Sequence, residues 1–286
     1  MTELTADFLR PLLLERAPDS HNGDYGHLLL VAGCQAMPGA AVLATGAALK
    51  SGCGLVTLHS TAYALLSVAY NFPAAMLSAE PGDCFGLVPE HLDRYDGIAV
   101  GPGLGTAPQT AGALAKLLSM AREGGLPMVL DADALNLLAA RPAQLDGIPA
   151  GSVMTPHPGE LRRLIGPYAP QEQDGRVLAL SRRTGCVVVC KGFRTRVYTP
   201  AGEILVNTTG NPGMAKGGSG DVLTGLVGGL LARGYEARDA AALGVWIHGF
   251  AGDVLTARCT AEAYSSRDLI DELYKGFEAL IRPRRS

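Results

Sequence analysis

Pro127-Met128-Val129-Leu130-Asp131-Ala132-Asp133-Ala134-Leu135-Asn136, and shortly after it Ser152-Val153-Met154-Thr155-Pro156-His157-Pro158-Gly159-Glu160, carry the pattern that organises the chain. Each starts as a short apolar run, breaks on a cluster of Asp, Pro, Gly or His, and continues as a helical pattern, over 133–140 and 158–166. An apolar run without alternation is how a strand covered on both faces reads. The same unit recurs outward from this stretch. Strand runs fall at 27–31, 54–58, 97–100, 187–190, 195–199 and 203–206. Helical patterns fall at 38–52, 107–123, 171–184, 221–233, 237–258 and 266–281. Strand-helix alternation predicts a layered α/β/α sandwich on a mainly parallel sheet. The runs at 195–199 and 203–206 flank Pro200-Ala201-Gly202 and read as a small antiparallel hairpin. One domain over 1–286 is expected.

The bulk properties fit a large buried core. The chain has 286 residues, 48% hydrophobic and 18% charged, with a formal net charge of −3. No basic run occurs before Arg282, Arg284 and Arg285, so no nucleic-acid partner is expected. The start lacks a leader pattern. No uninterrupted apolar stretch approaches a bilayer's span, so no membrane partner is expected either. Six scattered cysteines without a Cys-x-x-Cys pair read as reduced thiols in a cytoplasmic protein. Cys186 and Cys190 have the same parity in one run and should share a strand face.

In such a sheet, ligands gather beyond the carboxyl ends of the strands. The richest turn is Thr209-Gly210-Asn211-Pro212-Gly213-Met214-Ala215-Lys216-Gly217-Gly218-Ser219-Gly220-Asp221, with an apolar helix directly behind it. Glycines leading into a helix let backbone N–H groups converge on an anion, where the helix dipole favours negative charge. Ser219 can add a hydroxyl. Asp221 would sit in the first turn, as a helix-capping carboxylate or as a general base beside bound phosphate. The spacing is not that of a P-loop. Gly101-Pro102-Gly103-Leu104-Gly105 closes another strand and allows close backbone approach to a ligand. Asp131 and Asp133, two apart on an extended chain, would share a face and could hold Mg²⁺ through water. His157, held between two prolines, would be a substrate contact or a structural histidine, and Glu160 could orient a metal-bound water. In Lys191-Gly192-Phe193-Arg194-Thr195, the cations can meet phosphate and Phe193 can stack on a base.

These motifs resemble, in order and over almost the whole chain, those of the ADP-dependent NAD(P)H-hydrate dehydratase family of the ribokinase-like superfamily. His21–Gly26, Met37–Ala41, Gly101–Gly105, Leu130–Asn136, Thr155–Glu160, Lys191-Gly192, Gly210–Asp221, His248-x-x-Ala251-Gly252-Asp253 and Asp268–Ile270 carry the resemblance. Asn22 departs from it, standing where Lys is expected. The resemblance implies dehydration of the S epimer of NADH- or NADPH-hydrate (NADHX, NADPHX), with ADP or ATP as co-substrate and Mg²⁺ as cofactor. The ring hydroxyl would be phosphorylated and then eliminated, leaving AMP and phosphate when ADP is the donor. Catalysis would fall to Asp221 with Gly218, Ser219 and Gly220. Ala40, Ala41, Gly103, His157 and Asp221 would contact the hydrated cofactor. Lys191, Gly192, Phe193, Arg194, Thr195 and Gly220 would hold the nucleotide, and Glu160 and Asp131 the metal. A homotetramer and cooperation with a separate epimerase are also implied, the chain having no room for an epimerase domain. Two other readings share the glycine loop: a small-molecule kinase of the vitamin or hydroxyethylthiazole type, and a non-catalytic nucleotide sensor.

Overall fold

The computed structural model describes residues 1–281, so the arginines near the C-terminus lie outside the described residues. Ten strands form one sheet: β1 (Thr2–Leu4), β2 (His27–Val31), β3 (Leu55–Thr61), β4 (Met76–Glu80), β5 (Gly97–Val100), β6 (Met128–Leu130), β7 (Val153–Met154), β8 (Val187–Cys190), β9 (Arg196–Tyr198) and β10 (Ile204–Asn207). Their order across the sheet is β1-β10-β9-β8-β7-β6-β5-β2-β3-β4. Pairings are parallel except where β9 runs against β8 and β10, the place of the expected hairpin.

The helices are α1 (Ala6–Leu9), α2 (Pro38–Leu49), α3 (Ala62–Asn71), α4 (Pro108–Glu123), α5 (Ala132–Ala139), α6 (Pro158–Ile165), α7 (Gln173–Thr184), α8 (Ser219–Ala232), α9 (Ala237–Arg258) and α10 (Ser266–Ile281). They cover both faces of the sheet, because successive strand side chains point to opposite sides. Leu28 and Leu30 join Ala99, Val129, Val153, Val187 and Val189 in one core beneath α2, α8 and α9. Leu29 and Val31 join Ile98, Val100, Leu130 and Val188 in the other, beneath α4 and α5. Leu28, Leu29 and Leu30 are each fully buried, which stabilises the fold by roughly 1.5–3 kcal/mol per side chain before entropy is counted. Cys186 and Cys190 lie in the second core as their parity requires. Burial pushes their thiols up, to about 11 and about 12.

Helix α8 is the centre of the first core. Its small residues let it lie close to α2: a Cβ on Gly225 would come within 1.9 Å of the Ala44 carbonyl oxygen, and one on Gly229 within 2.0 Å of Ser51 Oγ. Helix α9 is long and apolar enough by length and composition to cross a membrane, although Arg238, Asp239 and Asp253 interrupt it; 72% of its apolar window is buried in the protein and it serves as a core helix. β1, β4, α1 and α3 are additions to the sequence reading.

Candidate active site

The turns after β6 and β8 meet the glycine loop that feeds α8, the turn after β7 lies beside Lys191, and the turns after β2 and β5 pack alongside that after β6. Helix α8 begins at Ser219 because Gly218 takes a left-handed backbone (φ 88°) that only glycine adopts without strain. A side chain there would also strike Leu43, 2.3 Å from the Cβ position. Asp221 therefore falls in the first helical turn, partly buried. Burial first, then the Asp131 charge, raises its carboxyl to about 6, against the opposing pull of Lys191.

Lys191 at the end of β8 links the parts. Its Nζ donates to Asp131 Oδ1 at 2.6 Å and lies 4.0 Å from Glu160 Oε2. Asp131 is 1% exposed, and its other oxygen accepts from the Thr224 hydroxyl at 2.7 Å, one turn along α8 from Asp221. A Cβ on Gly220 would lie only 3.2 Å from Lys191 Nζ. The absence of a side chain there keeps the ammonium open to whatever the loop binds.

Asp133 does not share a face with Asp131. The chain turns into α5 at Ala132 (φ 47°), and Asp133 accepts from the Gly105 N–H at 2.8 Å. The expectation of paired carboxylates on one strand face is thus corrected by the early helix start. His157 caps α6: its Nδ1 accepts from the Gly159 N–H at 2.9 Å, which leaves the proton on Nε2, 3.1 Å from Glu160 Oε1. The second Glu160 oxygen accepts from the His157 N–H at 2.8 Å. The imidazole is thereby locked with half its surface open. Burial raises the Glu160 carboxyl, opposed by the Lys191 charge.

Among the described residues no group of three His, Cys, Asp or Glu side chains could hold a metal. The oxygens of Asp131 and Glu160 already have partners. A preformed protein cage for Mg²⁺ does not fit these residues, and water-mediated contact to a metal carried by phosphate is the arrangement left open.

On the other side, Gly33 donates to the Pro102 carbonyl at 2.7 Å. A Cβ on Gly103 would lie 2.8 Å from Ala40 Cβ, and one on Gly33 2.8 Å from Ala41 Cβ. Ala40, Ala41 and Gly103 thus form one close-packed wall, with Gly33 a member the sequence reading missed. The nucleotide candidates separate. Phe193 is 91% exposed and free to stack. Arg194 pairs with Glu3 of β1, away from Lys191. Thr195 closes its own turn by donating to the Gly192 carbonyl at 3.0 Å.

The loop itself is braced by α9. Asp253 accepts from the Gly210 N–H at 2.9 Å and from Asn211 Nδ2 at 3.0 Å. Gly249 abuts Thr209, and Gly252 abuts Met214. His248 Nε2 lies 3.4 Å from Ser219 Oγ. Residues 248, 249, 252 and 253 form one stripe of a helix, so one rigid element sets the loop at several points. From α10, Ser266 donates to the Gly217 carbonyl at 2.7 Å.

A mainly parallel sheet between two helical layers, with a glycine loop and a partly buried carboxylate at its carboxyl edge, defines a ribokinase-like protein. The sequence pattern of the NAD(P)H-hydrate dehydratase family matches residues 28–275, and the chain belongs to that family. It is 41% identical over 248 residues to the ADP-dependent (S)-NAD(P)H-hydrate dehydratase of Neisseria meningitidis, covering 84% of this chain and 80% of that one. It is 39% identical over 285 residues to the bifunctional NAD(P)H-hydrate repair enzyme Nnr of Moorella thermoacetica, covering 94% of this chain and 52% of that protein. The chain spans about half the length of the bifunctional relatives it matches. The crystal structure of the ADP/ATP-dependent NAD(P)H-hydrate dehydratase of Bacillus subtilis, co-crystallized with ATP/Mg2+, superposes with a TM-score of 0.83 at 29% identity and 98% coverage of both chains.

Proposed function

We propose that this chain is a hydro-lyase that dehydrates (6S)-NAD(P)H-hydrate with consumption of ADP. The observation that carries the reading is the convergence of Asp221, its carboxyl raised to about 6, with the glycine loop and the Lys191–Asp131 pair. A carboxylate tuned toward neutrality is suited to accept a proton from a hydroxyl. The C6 hydroxyl of the hydrated ring attacks the terminal phosphorus of ADP and loses its proton to Asp221. The bond from that phosphorus to AMP breaks. The resulting ester is a far better leaving group than hydroxide. Phosphate departs with the C6–O electron pair, C5 loses its proton to water, and the C5–C6 double bond is restored.

In this reading the N–H groups at Gly218, Ser219 and Gly220, with Lys191, hold the transferring phosphoryl group. The wall of Ala40, Ala41 and Gly103, with the fixed imidazole of His157, receives the hydrated ring. Phe193 and the turn at 192–195 receive the adenine nucleotide. Mg²⁺ would accompany the phosphates and neutralise their charge, with Asp131 and Glu160 reached through water. The small-molecule kinase reading shares the loop and the base, and the family match does not favour it.

We place the enzyme in the cytoplasm, supported by six free cysteines. We also propose cooperation with an NAD(P)H-hydrate epimerase and assembly as a homotetramer. The exposed Tyr63, Leu66 and Tyr70 of α3, and Met76 and Leu77 of β4, offer apolar surface for assembly. Light scattering on a sizing column would find four copies; a monomer would end that part. Incubation of hydrated NADH with protein and ADP, followed by absorbance near 340 nm, tests the reaction. Recovery is expected; none with either ADP or ATP would refute it.

A further inference from the structure

Helix α9 brings to the loop a side chain that the proposed mechanism does not use. His248 is buried (8% exposed) and comes within hydrogen-bonding reach of the one hydroxyl at the start of α8, Ser219 Oγ, at 3.4 Å from Nε2. A buried imidazole on a helix is most often a core residue satisfied by its neighbours. Here the neighbour is a candidate phosphate ligand.

The protonation state decides what such a contact can do. Burial drives the imidazole down to about 4; the Ser219 backbone works against this, as an acceptor facing a ring N–H does, and the Lys191 charge adds to the lowering. At neutral pH the ring is therefore uncharged, with one N–H and one lone pair. If Nε2 carried the lone pair, Ser219 would spend its only hydrogen on the ring and turn lone pairs toward a bound anion. If Nε2 carries the hydrogen, it donates to Ser219 Oγ, and the hydroxyl hydrogen stays free to point into the loop. Only the second arrangement makes Ser219 a donor to phosphate.

We propose that His248 is a positioning residue: its Nε2–H donates to Ser219 Oγ and so directs the Ser219 hydroxyl onto the terminal phosphate of the bound nucleotide. A neutral donor suits the position, because it orients the hydroxyl without adding a charge that would hold the anion after transfer. The inference deepens the reading of this loop as the phosphoryl site and rests on it. It can nevertheless be tested by nucleotide binding alone, without turnover of the hydrated cofactor.

Calorimetric titration of the full chain with AMP and with ADP isolates the terminal phosphate as the ratio of the two Kd values. Ser219→Ala should reduce the preference for ADP over AMP by about 10- to 100-fold, the range for a hydrogen bond to a charged group. His248→Leu should do nearly the same with AMP affinity kept, and His248→Gln, which retains an amide donor near Nε2, should restore most of it. In the Ser219→Ala background, His248→Leu should change the ratio no further. An equal loss in both backgrounds, or an unchanged ratio, would overturn the proposal. If the Leu variant does not fold, ¹⁵N shifts of histidine-labelled wild-type protein with ADP decide the matter. The Nε2–H tautomer is expected, and the Nδ1–H tautomer refutes it. Failure of the 340 nm assay with these binding results intact would remove the dehydratase reading alone.

Discussion

At the scale of single residues, the proposed base Asp221 sits where its charge carries an energetic cost. A carboxyl raised to about 6 in the fold, from 3.8, is disfavoured as an anion there relative to the unfolded chain. The sign follows: the penalty is full above pH 6 and disappears as pH falls below the unfolded value. Asp221→Asn should therefore stabilise the fold at pH 8 by up to about 2–3 kcal/mol, seen as a higher melting temperature, and the gain should shrink between pH 6 and pH 4. The same variant should lose ~10²–10⁴-fold in kcat with AMP binding nearly kept; unchanged turnover would remove Asp221 from the base role. For the wild type, kcat/KM should fall about tenfold per unit below pH 6 as the base is protonated. A profile flat to pH 5 would contradict a base with that pKa.

Elements explain which parts of this were readable in advance. The loop from Gly210 to Asp221 announced itself because a cap needs one suitable residue and this run supplies many glycines. Strands β2, β5 and β8 were plain because both faces are buried. The edge strand β4 was not: it reads Met-Leu-Ser-Ala-Glu, with Met76 and Leu77 exposed, so neither alternation nor an apolar run marks it. Helix α3 carries Tyr63, Leu66 and Tyr70 outward, which blurs its buried stripe. Thr224 and His248 act on the site from mid-helix positions through contacts 93 and 29 residues away in sequence, and spacing cannot show such contacts. The pairing of Asp131 with Asp133 failed because the helix starts at Ala132, one residue sooner than the pattern over 133–140 allowed. The packing of α8 on α2 gives a test at this scale. Gly225→Ala places a methyl 1.9 Å from the Ala44 oxygen, so it should destabilise the protein by about 1–3 kcal/mol despite alanine's better helix propensity. Chemical denaturation reads the effect; a neutral or stabilising outcome would mean the helices separate at no cost.

On the scale of the whole molecule, the sheet's carboxyl edge brings two requirements together. One side, Lys191 to Asp221, is the proposed phosphate site. The other, Ala40, Ala41, Gly103 and His157, is small and rigid enough to receive a ring against backbone. A kinase would use the same edge and release a stable phosphate ester. In the proposed reaction the ester is transient. The direct measurement is the product balance with hydrated NADH and ADP, AMP by chromatography and NADH by absorbance in the same sample. One NADH should form for each AMP throughout the reaction; AMP accumulating with a lasting phosphorylated product and no NADH would rule out a transient ester.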